Sequence, residues 1–430
     1  MNLTELYDIY VKHPEICTDT RKIKPGCIFF ALKGPRFDAN AFAAEALNAG
    51  AAYAVIDDIA HQTSERCIVV NDVLQTLQQL AAHHRSMLNI PVVAIVGSNG
   101  KTTTKELITS VLSTRKKVLA TPGNFNNHIG LPLTLLMLTA EHEIAVIEMG
   151  ANHIGENAFL CEIARPDCGL ITNNGKDHLE GFGSIEGVAQ SNSELYYYFL
   201  KNGGTAFVNA NDEWLMRMAT RLTKKITYAA NDDVKQAKAD IMGKALQLQP
   251  HILFTLNESE FTSHLSGDYN FDNIMAAVCI GHYFNLSIDD IRAGIAAYEP
   301  KNNRSQIVST THNTVFMDAY NANPSSMQAA LKNFAAMPYN HKVAILGDMF
   351  ELGEYADAEH KAMIAFADGL KFENLIFVGL EFGRNKSGTH LFFDTTEQAM
   401  EFLKSTPMEN KHIFMKGSRG IQLEKLLPCL

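Results

Sequence analysis

The chain has no C-x-x-C pair: its seven cysteines (17, 27, 67, 161, 168, 279, 429) lie scattered. A zinc ribbon and a disulfide framework are therefore not expected, and reduced thiols in a cytoplasmic protein fit the pattern. No run approaches the roughly 18–20 apolar residues of a membrane helix. The opening stretch, MNLTELYDIYVKHPEIC, is too polar and acidic for a secretory signal. There is no excess of positive charge; the net charge of −10 argues against broad nucleic-acid binding. It also means that an anionic ligand must be met by local devices. Internal repeats and low-complexity linkers are absent as well. With 430 residues, 46% of them hydrophobic, the chain can build two to four domains with their own cores.

What is present begins at residues 92–103, VVAIVGSNGKTT. A short β-type apolar run breaks into Gly97-Ser98-Asn99-Gly100-Lys101-Thr102-Thr103, and a helix-competent segment follows. Two glycines let the backbone turn tightly, so that successive N–H groups face phosphate oxygens. Lys101 adds a point charge, and the Thr102 hydroxyl can ligate Mg²⁺. The spacing is G-x-x-G-K-T, shorter than the usual G-x-x-x-x-G-K-[ST]. The segment reads as an ATP-binding loop.

The rest of the chain divides into three α/β stretches. Residues 1–85 carry strands at Cys27–Leu32, Ala54–Ile56 and Ile68–Val70, with helices over 39–50 and 71–87. Residues 86–300 alternate strand and helix around the phosphate loop. Residues 301–430 have their own rhythm, with strands at Thr314–Met317, Lys342–Leu346, Asn374–Val378 and His412–Met415 and helices at Ser325–Ala336 and Ala358–Gly369. The fold class is α/β in three domains, the last Rossmann-like. Ligands in open α/β sheets sit beyond the carboxyl ends of strands. Three such ends put Lys101 and Thr102, Glu148, and Asp177 with His178 on one rim. Each also has a plainer reading: Glu148 as a solvated rim residue, His178 as a surface histidine, Asn124, Asn126 and Asn127 as Asx turns. Arg304, Lys416 and Arg419 can likewise be ordinary basic surface.

Several segments together resemble the Mur ligase family. They are GSNGKTTTKEL (97–107), TPGNFNNHIGLPLTLL (121–136), IEMGANHIGE (147–156), GKDHLEGFGSIEGV (175–188), YNFDN (269–273), NNRSQ (302–306), MDAYNANPSSM (317–327), GDMFELGE (347–354) and KGSRG (416–420). TDTRKIKPGCIFFALKG (18–34) is similar to that family's uridine-nucleotide domain. NNRSQ and DAYNANPSSM point to the branch that adds D-alanyl-D-alanine to UDP-MurNAc-tripeptide. The resemblance implies ATP and Mg²⁺, an acyl-phosphate intermediate, small-molecule substrates, a cytoplasmic monomer, and no nucleic acid or membrane.

Residue by residue, it implies Lys101 on the transferring phosphoryl group. Thr102, Glu148 and His178 become candidates for metal. Asn270 and Asn273 are expected at adenine, and Arg304 and Asp318 at phosphate and ribose. Asn126, Asn127 and His128 would face the muramoyl peptide. Asn321, Asn323, Lys416, Ser418 and Arg419 would seat the dipeptide or close the site, and Thr20, Arg21, Lys33 and Gly34 would meet the uridine diphosphate. Two departures stand out. The family usually has a carbamylated lysine where this chain has Asn192, and a small residue where it has Asp177; Asp177 is a candidate to restore the lost carboxylate. Asn174 replaces an often apolar residue. A related ligase of different specificity and a non-catalytic precursor-binding protein remain the alternatives.

Overall fold

The computed structural model describes residues 2–230 and 239–430. Three main sheets follow one another along the chain. The first is a parallel four-stranded sheet in the order Ile16–Cys17, Ile28–Phe30, Tyr53–Ile56, Cys67–Val69. The helix expected over 39–50 begins as a 3₁₀ turn (Ala39–Phe42) and becomes α-helical only over Ala43–Asn48. The Asp38 carboxylate causes the tight start: Oδ1 accepts both the backbone and side-chain N–H of Asn40.

The central sheet has nine strands. Its parallel heart runs Tyr228-side to edge through Lys225–Ala230, Thr205–Asn209, Cys168–Ile171, Val92–Val96, Ile144–Glu148 and Val118–Ala120. Val92–Val96 and Ile144–Glu148 are buried at every position, as strands covered on both faces must be. The strand–helix alternation expected here fails at its far end. Ile241–Gln247, Ile252–Leu256 and Ser259–Ser263 form antiparallel pairings instead. Ile252–Leu256 alternates buried and half-buried residues, the period of a strand with one face covered.

The third sheet runs Gln306–Ser309, Thr314–Asp318, His412–Lys416, Lys342–Gly347, Asn374–Val378, Leu391–Phe393. It is parallel except for its first strand, which pairs antiparallel with Thr314–Asp318. The helix Pro324–Ala336 starts on an Asn323 cap with Pro324 at its first position.

The helix Val73–Met87 joins the first unit to the second. One hydrophobic cluster runs from Leu6, Tyr10 and Phe30 through Leu77 and Leu80 to Val92, Leu135 and Tyr196. Polar ties reinforce that seam: Tyr10 donates to Leu136 O at 2.6 Å, and the Arg85 Nε–H donates to Ala164 O at 3.0 Å. The first two units therefore share a core. The third holds clusters of its own, among them one around Val315, Ile345 and Met415; another takes in Leu179 of the second unit, and polar contacts cross the same seam. Among the described residues, no helix is long and apolar enough to cross a membrane.

Candidate active site

The strand Val92–Val96 ends at Gly97, with φ +128°, and the helix Lys101–Leu112 begins after Gly100, with φ +81°. Only glycine fits either place. A Cβ on Gly97 would lie 2.1 Å from Thr172 Oγ1, and one on Gly100 2.6 Å from Asn273 Oδ1. No side chain caps this helix. Its first N–H groups and its dipole therefore face whatever sits over the loop, which suits an anion. Asn173 braces the loop: its Oδ1 accepts from the Asn99 N–H at 3.1 Å, and its Nδ2 donates to Asn99 O at 3.0 Å. Lys101 Nζ curls back onto Gly97 O and Ser98 O, the latter at 3.2 Å. An ammonium satisfied only by backbone carbonyls can swing outward onto phosphate.

A cavity of 670 Å³ opens above this loop, between the second and third units. It gathers Ser98, Asn99, Gly100, Lys101, Thr102 and Thr103 with Glu148, Asp177 and His178. Asn126, Asn127 and His128 line it, as do Asn270, Asn273, Arg304, Asp318, Asn321, Asn323 and Lys416. Residues from three strand ends of the central sheet thus meet on one rim with residues of the third unit.

Glu148 is buried at the end of its strand. Oε1 accepts from Asn126 Nδ2 at 2.8 Å, while Oε2 has no hydrogen-bond partner among the described residues. Lys105 Nζ is 4.0 Å from that oxygen. A buried carboxylate oxygen with free lone pairs, beside a threonine at the start of the phosphate helix, suits a hard cation. Among the described residues no three His, Cys, Asp or Glu side chains cluster closely enough to hold a metal.

Asp177 accepts a 2.5 Å hydrogen bond from Ser98 Oγ. Ser98 Oγ in turn accepts the Gly175 N–H at 2.9 Å, so the carboxylate is fastened to the phosphate loop. His178 has φ +46° and places Nδ1 2.7 Å from Glu351 Oε2 of the third unit. That contact holds the Glu351 carboxyl below its ordinary range. Further bonds cross the same seam: Asn323 Nδ2 donates to Asn99 Oδ1 at 2.8 Å, the Lys176 N–H donates to Ser325 Oγ at 3.0 Å, and Lys176 Nζ pairs with Glu359 at 2.5 Å. The third unit is thereby hydrogen-bonded to the phosphate loop itself.

On the far wall, Lys416 Nζ lies 2.6 Å from Asp318 Oδ2 and 3.1 Å from Asn321 O. The Arg304 guanidinium sits 3.7 Å from the Tyr320 ring centroid, and that of Arg419 5.1 Å from the same ring. A second cavity of 930 Å³ adjoins the first and shares Asn173, Tyr269 and Asp272 with it. Burial pushes the Asp272 carboxyl up to about 7.

Some expected residues lie elsewhere. Gly97 does not line the cavity; it shapes the turn beneath it. Ser418 is buried and turns away, its Oγ accepting the Phe350 N–H at 2.9 Å. Arg419 is exposed outside the cavity. Thr20, Arg21, Lys33 and Gly34 belong to the first unit and do not reach this cavity. There Arg21 grips Asp19, and Lys33 pairs with Asp57 at 2.8 Å. Asn127 does make an Asx turn, its Oδ1 accepting from the N–H groups of Ile129 and Gly130. The sequence reading missed Lys105, Glu351 and Tyr320. Lys105 carries a signal, one helical turn beyond Lys101; the contact of Glu351 with His178 carries none, since 172 intervening residues separate them.

Residues 95–281 match the Mur ligase middle domain, and residues 303–419 match the Mur ligase glutamate ligase domain. The chain is similar to UDP-N-acetylmuramoyl-tripeptide–D-alanyl-D-alanine ligase of Bacillus subtilis (strain 168), at 34% identity over 96% of this chain and 92% of that protein. Its structure is similar to that of MurF from Acinetobacter baumannii, with a TM-score of 0.87 and 30% identity over 96% of this chain and 92% of the other. It is also similar to MurF ligase from Thermotoga maritima in complex with ADP, with a TM-score of 0.84 and 27% identity over 96% of both chains.

Proposed function

This chain belongs to the Mur ligase family, and from that premise we propose that it joins D-alanyl-D-alanine to UDP-MurNAc-tripeptide with ATP as the driving substrate. The observation that carries the reading is the meeting, in one cavity, of an uncapped phosphate-loop helix, the half-satisfied Glu148 carboxylate and polar groups of the third unit.

In this reading the terminal carboxylate of the tripeptide attacks the γ-phosphorus of ATP. The β–γ bridging bond breaks, and ADP leaves. The acyl phosphate is then attacked by the free amine of the dipeptide. The C–N bond forms, the amine loses a proton, and inorganic phosphate departs. Every participant is anionic, so the chain's work is charge placement and alignment rather than covalent catalysis. Lys101 leaves its two carbonyls and settles on the transferring phosphoryl group. The first turn of the helix presents N–H groups to the remaining phosphates, while Ser98 and Asn99, whose own N–H groups donate to Asn173, shape the loop beneath them. Asn270 and Asn273 meet adenine, and Arg304 and Asp318 meet phosphate and ribose. Asn126, Asn127 and His128 face the peptide, and Asn321, Asn323 and Lys416 face the incoming dipeptide. Thr102, Glu148 and His178 are the groups that would hold Mg²⁺, which supplies charge neutralisation along the phosphates when bound. Asp177 keeps Ser98, and so the phosphate loop, in place. Thr20, Arg21 and Lys33 await the uridine diphosphate on the first unit. The free cysteines suit a cytoplasmic setting.

The test is phosphate release with UDP-MurNAc-tripeptide, ATP and Mg²⁺. Release that requires D-alanyl-D-alanine supports the reading. Release with L-glutamate instead would favour a ligase of different specificity. Tight ATP binding without ADP formation in the presence of both co-substrates would favour a binding protein.

A further inference from the structure

Among the described residues, Lys105 is, with Lys416, one of two lysines that are almost wholly buried, at 3% exposure. It stands one helical turn after Lys101 on the helix Lys101–Leu112, on the same face. Lys101 reaches back into the phosphate loop; Lys105 reaches sideways, toward the loop 121–127 and the end of the strand Ile144–Glu148. An ammonium taken out of water is tolerated only where acceptors surround it. Lys105 Nζ donates to Thr121 O at 2.9 Å, lies 3.5 Å from Gly123 O, and faces Glu148 Oε2 at 4.0 Å. Two N–H directions meet carbonyl oxygens, and the ammonium's charge faces Glu148 Oε2 from beyond hydrogen-bond distance.

Those oxygens belong to one connected assembly. Thr121 Oγ1 accepts the Glu148 N–H at 2.9 Å. Asn126 holds Glu148 Oε1 through its side chain, and its carbonyl accepts the Gly150 N–H at 2.8 Å. The segment from Thr121 to Asn127 contains no helix or strand. Its shape therefore depends on such ties, and the cation at its root is Lys105.

We propose that Lys105 is a positioning residue that ties the 121–127 loop and the Glu148 carboxylate to the helix rising from the phosphate loop, and so fixes the face presented to the peptidyl substrate. Lys105 touches neither nucleotide nor peptide in this account. It acts through Thr121, Gly123 and Glu148, and it sets the distance between the phosphate loop and the peptide-facing Asn126. The inference rests on the reading of the cavity as a ligase site, but its physical core does not.

The test compares the parent chain with Lys105→Met and Lys105→Gln, the second keeping a donor while dropping the charge. Hydrogen–deuterium exchange is followed without ligands. Loss of the charge orphans buried acceptors, so amides in 121–127 should exchange about ten-fold faster. Those in the helix 101–112 and in the third unit should be unchanged. In turnover, KM for the UDP-linked peptide should rise about ten-fold, with KM for ATP within about two-fold of the parent. Unchanged loop exchange in a folded variant overturns the proposal, as does an equal rise in both KM values. Should Lys105→Met fail to fold, Lys105→Gln is judged by the same two criteria. A parent chain that releases no phosphate would defeat the ligase reading and leave the exchange result to decide the role of Lys105 in the loop.

Discussion

Asn192 donates its side-chain amide to Asn174 Oδ1 across 2.9 Å. The two sit on the helix Ile185–Asn202 and on the loop after Cys168–Ile171. Asn192 is buried and stands outside the cavity, while Asn174 lines it. Two positions that the resemblance to the Mur ligases marked as departures are thus partners. Asp177, the third position so marked, bonds to Ser98 rather than to either of them.

Breaking that pair should cost stability rather than nucleotide binding. Asn192→Ala leaves Asn174 Oδ1 without its donor, at a cost of about 1–2 kcal/mol. Asn174→Ala should cost a similar amount, and the double variant less than the sum. Urea unfolding of the four proteins checks this; additive losses would show that the bond contributes nothing.

Lys101→Ala should lower phosphate release by roughly 10³-fold, the scale of losing one preorganised charge at a phosphoryl group. Thermal unfolding should move little, because the ammonium donates only to Gly97 O and Ser98 O in the ligand-free chain. Activity within ten-fold of the parent would sink the assigned role.

Chelation of divalent ions should abolish turnover, and added Mg²⁺ should restore it. Glu148→Gln should need a markedly higher Mg²⁺ concentration for half-maximal rate, because the unpartnered Oε2 is then replaced by a group without charge. An unchanged Mg²⁺ requirement would remove Glu148 from the metal site.

Asp272 gives the chain a pH signature. Its carboxyl rises from the ordinary 3.8 to about 7 on folding, burial being the main cause. Between those values the folded chain binds more protons than the unfolded one, so stability falls as pH rises, until the folded group has itself ionised. Asp272→Asn keeps the shape of the neutral acid and removes this slope. Between pH 5 and pH 8 it should gain about 2 kcal/mol on the parent. Denaturant melts at both pH values decide it; a constant difference would refute the shift.

The seam between the second and third units is bridged by the His178–Glu351 and Lys176–Glu359 pairs. Partly exposed pairs contribute about 0–1 kcal/mol each and weaken with salt. Glu351→Ala and Glu359→Ala should each have small effects. Together, at high ionic strength, they should enlarge the radius of gyration in solution scattering. Scattering identical to that of the parent would mean that other contacts hold the units together.

Short-range features were legible before folding was considered. The phosphate loop depends on an apolar run, two glycines and a helix start within a dozen residues, and chain neighbours settle such geometry. The strands at 374–378 and 412–416 follow from continuous apolar runs for the same reason. The antiparallel strands over 241–263 did not stand out, because their alternation is short and mixed with polar residues.

The amino-acid sequence by itself determined the three α/β units, the anion cradle and the class of chemistry, since these rest on local conformation and on residue types at fixed spacing. Tertiary structure alone decided that Glu148 keeps one oxygen free, that Asn126 and Lys105 flank it, and that His178 turns toward Glu351. Each of those facts is a contact between segments far apart along the chain. Such contacts exist only once packing has excluded water and brought the strand ends together, and no local spacing encodes them.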